Sequence, residues 1–114
     1  MMPESRPASS GAAAYRRRLT PKQMEAEVFA RATRAIRQAE QGSPLDRARA
    51  IADNRRLWEV VEQSVLDPAN ALPVELRGRI VSIARAVLRD IDGPAPDLGF
   101  VAEMNDSFAA GLWQ

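Results

Sequence analysis

The chain has no cysteine and no histidine. No disulfide framework, thiol nucleophile or Cys/His zinc site can be built from it, and the commonest general base is missing. Aromatic residues make up only 5 % of the sequence, too few for a sheet-dominated core, whereas its alanine and arginine favour helices that meet through small residues. Charge of either sign is also nearly absent in the net: 16 Lys and Arg against 15 Asp and Glu leave +1. No global field therefore draws the molecule to nucleic acid or to an anionic membrane. No apolar run approaches the roughly 20 residues that cross a bilayer, so no membrane insertion is expected. The opening "MMPESRPASSGAAAYRRR" is not read as a signal peptide, because its charge comes late and no hydrophobic stretch follows it.

What is present is one domain's worth of chain, 114 residues with 46 % hydrophobic residues. Residues 1–13, rich in Pro, Ser, Gly and Ala, are expected to form a disordered N-terminal segment. Residues 14–114 are expected to form an all-α, four-helix bundle-like domain. Helix signals recur in order. Thr20, Pro21 and Gln23 carry a capping-box pattern, and Val28, Phe29, Ala32, Ala35, Ile36 and Ala39 follow with the 3.6-residue period up to Gly42. Ser43, Pro44 and Asp46 repeat the start signal before Ile51, Leu57, Trp58, Val61 and Val65. Pro73 opens a third stripe, Leu76, Ile80, Ile83, Ala84, Val87, Leu88 and Ile91, which Gly93 ends. A shorter fourth carries Leu98, Val101, Met104, Phe108 and Leu112. Short connections predict antiparallel neighbours.

Three of these stripes contain a polar residue. Asn54 falls among Ile51, Trp58 and Val65; Asn105 among Val101, Met104, Phe108 and Leu112; Glu25 beside Val28, Phe29 and Ala32; Arg55 stands at the flank of its stripe. An unpaired buried polar group costs about 1–3 kcal/mol, so these groups should find each other. A network of Glu25, Asn54 or Arg55, and Asn105 is expected to tie the helices in register, with Trp58 as the core anchor. Arg56 points away from Trp58, toward solvent. No catalytic constellation, phosphate loop or converging carboxylate pair is present in the sequence, and neither an enzyme nor a bound cofactor or metal is expected. The dense basic run is "YRRR" at 15–18, which reads as a solvated lead-in to the first helix.

The order of these elements carries a resemblance. "AY" at Ala14–Tyr15, "PKQME" at Pro21–Glu25, "VFARAT", "NRRLW" at Asn54–Trp58, "LPVELRGRIVSIA" at Leu72–Ala84 and "VAEMN" followed by "GL" over Val101–Leu112 together resemble the FlaF family of alphaproteobacterial flagellar biosynthesis proteins. "NRRLW" is the most specific of them. The extension before Ala14 and the last helix, "MNDSFAAGL", depart from the family pattern. Glu25, Asn54, Arg55 and Asn105 all fall on positions that the resemblance picks out.

The resemblance implies a cytoplasmic accessory protein of flagellum assembly. Its concrete form is a chaperone that binds flagellin and keeps it competent for type III export, alongside a second regulator, FlbT. The alternative is a post-transcriptional regulator of flagellin synthesis that acts through flagellin mRNA or FlbT, with "YRRR" and the arginines Arg47, Arg49 and Arg56 as its features. For the chaperone, the partner surface is expected where the first and fourth helices meet, on Phe100, Met104, Phe108 and Trp113.

Overall fold

The computed structural model describes the backbone of residues 21–112 and the side chains of residues 26–111. Over that range the chain forms four helices and no strand: α1 (Pro21–Ala39), α2 (Pro44–Leu66), α3 (Val74–Asp92) and α4 (Leu98–Leu112). The all-α, four-helix reading holds. The segment expected to be disordered over 1–13, the Thr20 cap and the "YRRR" run lie outside the described residues.

Local chemistry accounts for the ends of the helices. At α2 the capping box is complete: Ser43 Oγ accepts from the Asp46 backbone N–H, and Asp46 Oδ2 accepts from the Ser43 N–H, both at 3.1 Å. Two otherwise unpartnered donors are thereby satisfied, and Pro44 sits where its missing N–H costs nothing. The α2–α3 turn is held by amide and carboxylate side chains acting on the backbone. Asp67 Oδ1 accepts from Ala69 N–H, Asn70 Oδ1 accepts from Leu72 N–H, and Asn70 Nδ2 donates to the Ser64 carbonyl, each at 2.9 Å. Before α4, Asp97 Oδ1 accepts from the Phe100 N–H at 3.0 Å, while the Asp97 N–H donates to Asp90 Oδ2 at 2.9 Å. One residue thus caps α4 and ties the proline-rich connection back to the end of α3.

Cross-helix contacts give the directions. Phe29 meets Trp58 while Ala32 meets Asn54, so α1 and α2 run antiparallel. Arg55 meets Asp92 while Glu62 meets Arg85, so α2 and α3 do too. The expectation that each helix packs on its sequence neighbour fails at one step. α4 barely touches α3 and instead lies along α1, its most extensive partner. The connection through Pro94 and Pro96 turns the chain back across the bundle, and the continuous apolar run Val101–Ala102 of α4 is buried.

The result is a core of α1, α2 and α4, with α3 applied to the outer side of α2. This explains a second difference from the sequence reading. The α3 stripe buries Ile80, Ala84, Val87 and Ile91, but Leu76 and Ile83 remain exposed at 38 % and 37 %. A single partner helix covers the middle of a wide stripe and leaves its edge open.

Candidate functional site

The centre of the three-helix core is polar. Trp58, Asn54 and Asn105 are all fully buried, and they form one chain of hydrogen bonds. Trp58 Nε1 donates to Asn105 Oδ1 at 2.8 Å, and Asn105 Nδ2 donates to Asn54 Oδ1 at 2.7 Å. Asn54 Nδ2 then donates to the Ala50 carbonyl at 2.8 Å and, across to α1, to the Ala32 carbonyl at 3.3 Å. The indole can only donate. It therefore fixes Asn105 with its oxygen toward Trp58, and that in turn fixes Asn54 with its oxygen toward Asn105. Every bond in the series runs in the same direction, an arrangement in which each strengthens the next.

These side chains are surrounded by aromatic contact. Phe29, Trp58 and Phe108 form a triangle with ring centroids 5.6, 4.9 and 5.5 Å apart, one ring from each of α1, α2 and α4. The polar series and the aromatic triangle thus join the same three helices at the same level. Thr33 closes a further buried hydroxyl within α1 by donating to the Phe29 carbonyl at 2.8 Å.

Of the network expected from the sequence, Asn54 and Asn105 are brought together and Arg55 is not. Arg55 turns out of the stripe to α3, where its Nη2 pairs with Asp92 Oδ1 at 2.5 Å, and its Nε is buried without a partner. The reason is geometric. Arg55 follows Asn54 by 100° of helix rotation, onto the side that α3 occupies. The Glu25 side chain lies outside the described residues. The member that sequence reasoning missed is Trp58, read only as an apolar anchor. Its N–H was the available signal, because a buried indole usually has an acceptor.

The expected partner residues also separate. Phe108 belongs to the aromatic triangle, while Phe100 and Met104 are half-buried and packed against the core. Trp113 lies outside the described residues. Among the described residues, an opening lies between α1 and α2, whereas α1 and α4 are in close contact along their length. It is a groove of about 600 Å³, walled by Val28, Ala32 and Ala35 of α1 and by Leu57 and Val60 of α2. Val28 and Val60 are exposed, Val60 at 57 %. Arg31, Asp53 and Arg56 also line it.

The groove lies opposite α4. Arg37 of α1 meets Asp106 of α4 at 2.6 Å, and Val28, nine residues earlier, is displaced about 180° around the helix. One side of the α1–α2 pair is therefore sealed by α4, and the other is covered by no described helix. Among the described residues no cluster of three or more acidic side chains is placed to hold a metal ion, and no helix is long and apolar enough to cross a membrane.

Compared with known proteins, residues 8–112 match the family model described as flagellar protein FlaF. Neither a curated protein nor a solved structure matches the chain.

Proposed function

Because the chain belongs to the FlaF family of flagellar proteins, we propose that it is a cytoplasmic, non-enzymatic chaperone that binds flagellin and keeps it soluble and competent for type III export. The observation that carries this reading is the α1–α2 groove. Its walls are apolar, two valines on them are exposed, and no helix of the described chain covers it. Exposed apolar surface arranged as a groove between two helices is suited to receiving the apolar face of a third.

Unassembled flagellin supplies such a face, since its terminal segments are amphipathic and unfolded before assembly. Folding such a segment on binding consumes part of the interaction free energy, which keeps affinity moderate and release feasible. FlbT is a second protein partner on this reading.

The test is co-expression of the full chain with flagellin from the same organism, followed by size-exclusion chromatography with light scattering at low and high salt. A complex that persists in high salt is expected, because apolar burial is not screened. Absence of a complex under both conditions would sink the chaperone reading.

The second reading is control of flagellin synthesis through flagellin mRNA or FlbT. It is favoured by the exposure of Arg31, Arg34, Arg49 and Arg56. RNA binding through these residues would weaken steeply with salt, so the same experiment separates the two readings.

A further inference from the structure

The charges on the groove walls say more about its occupant than the apolar floor does. The Phe29–Trp58 and Ala32–Asn54 contacts set the pairing of the antiparallel helices, and that pairing places Arg31 level with Arg56. Both line the groove, one on each wall. Between them they have one acidic neighbour on the groove lining, Asp53, whose Oδ1 stands 3.7 Å from Arg56 Nη1. That is a long, exposed contact within one helix, of the kind that contributes little. Arg31 has no ion-pair partner among the described residues. Arg37 and Arg85 close on carboxylates of other helices at 2.6 and 2.8 Å, whereas the exposed Arg34, Arg49, Arg79 and Arg89, like Arg31, have no ion-pair partner among the described residues. The groove pair differs in standing on the two walls of an apolar groove that no described helix covers.

We propose that the groove receives an amphipathic helix whose apolar stripe is flanked by carboxylates, and that Arg31 and Arg56 select it by pairing with those carboxylates from the two sides. The proposal rests on the reading of the chain as a helix-binding chaperone and specifies the chemistry of what is bound. The apolar wall from Val28 to Ala35 spans two helical turns, roughly 10 Å at 1.5 Å per residue. It therefore seats anchors at positions i, i+3 or i+4, and i+7 of the guest. Carboxylates one position outside that stripe reach the two guanidinium groups, each of which offers a planar fork that matches a carboxylate. Asp53, one turn before Arg56 on the same wall, disfavours a guest that carries further acids on the stripe itself. A basic guest helix is rejected by both walls. The pairing thus sets orientation and choice of guest, and the apolar contact supplies most of the affinity.

The experiment uses the full chain and two synthetic amphipathic peptides of about 18 residues, long enough to form a helix when bound. They share one Leu/Val stripe and differ only in carrying Glu or Lys at the flanking positions. Binding is measured by calorimetry at low salt, for the unaltered chain and for Arg31→Glu/Arg56→Glu. Both sites are exposed, and circular dichroism checks that the fold is kept. The Glu-flanked peptide is expected to bind the unaltered chain at least about tenfold more tightly, roughly 1.4 kcal/mol, with the order reversed in the double variant. Val60→Asp is expected to abolish binding of either peptide.

Equal binding of the two peptides, or an order unchanged by the charge reversal, overturns the proposal. So does binding of an RNA oligonucleotide that Arg31→Glu/Arg56→Glu abolishes and Val60→Asp leaves intact, because the arginines then serve phosphates. The two readings fail separately. If flagellin binds the unaltered chain and all groove variants equally, the groove inference is lost and the chaperone reading stands. If the Glu-flanked peptide binds as described and flagellin does not, the chaperone reading is lost and the groove's selectivity stands.

Discussion

The two sides of the α1–α2 pair are built from the same helices and the same kinds of residue, and they end in opposite states. Toward α4 the pair carries Phe29, Asn54 and Trp58, and each finds a partner on the fourth helix or on the other member of the pair. Away from α4 it carries Val28, Ala35, Leu57 and Val60, which line a groove that no described helix covers. The closed side is the one that buries hydrogen-bonded polar groups, while the charges on the open side stay at its exposed rim. A purely apolar surface accepts any apolar partner in many registers, whereas a donor–acceptor series accepts one. The chain puts the specific contact where its own helix must dock, and leaves the adaptable surface where something else can.

The largest effect expected from breaking the closed side is that of Trp58→Ala. The indole fills the centre of the core and holds one edge of the aromatic triangle on each side. Its truncation leaves a large cavity, with a cost of about 3–5 kcal/mol from such changes. It also strands Asn105 Oδ1 without its donor. A domain of this size has little more than that to lose. Chemical denaturation should find the variant largely unfolded, and a midpoint close to that of the unaltered chain would show that α4 is not held through Trp58.

Asn54→Leu ranks next. It removes the acceptor of the Asn105 N–H and the bond to the Ala32 carbonyl in one step. The cost expected for buried polar groups left unpaired is about 2–3 kcal/mol. Because Asn105 has already lost its partner, Asn54→Leu/Asn105→Leu should cost less than the two single changes added together. A double-mutant cycle checks this, with a coupling of about 1–2 kcal/mol expected. Additive losses would mean that the two amides act separately.

Arg55→Met should do much less, although Arg55 adjoins Asn54 in the most specific sequence motif. Its ion pair with Asp92 joins side chains that are 38 % and 61 % exposed, so screening by water keeps the pair weak. Its Nε is already desolvated without an acceptor, and methionine keeps the stem while removing that burden. A change in stability within about 1 kcal/mol, of either sign, is expected from thermal or urea unfolding. A loss as large as that of Asn54→Leu would place Arg55 in the core network after all.

This contrast also marks what a sequence can disclose. The four helices were legible because their caps and periods are local: Ser43 and Asp46 need only each other. The pairing of Asn54 with Asn105 was legible because two amides on two apolar stripes share one shortage. The fate of Arg55 was not, because it depends on α3 lying on the outer side of α2, a fact that no residue of α2 encodes alone. The acceptor on Ala32 was equally hidden, since a backbone carbonyl has no letter. Val28 was read as a core residue on period alone. The period places it at the edge of the stripe, and only the position of α4 decides which edge is covered.

The smallest effect on stability, and the sharpest on binding, belongs to the open side. Val60→Asp and Val28→Asp change residues that are exposed at 57 % and 43 %. Valine and aspartate have similar helix propensities, so neither change alters the cost of forming its helix by much. Surface substitutions of this kind lie within about 0.5 kcal/mol of neutral, and thermal unfolding should place both variants there. An aspartate on the wall, however, must be desolvated whenever an apolar helix seats against it, and that cost falls on the complex alone. Both variants should therefore fold like the unaltered chain and fail to hold flagellin in size-exclusion chromatography. If instead they unfold, the valines belong to the core and the groove closes in solution. If they fold and hold flagellin undiminished, the partner docks elsewhere on the domain, and the exposed edge of α3 at Leu76 and Ile83 is the next apolar surface to change.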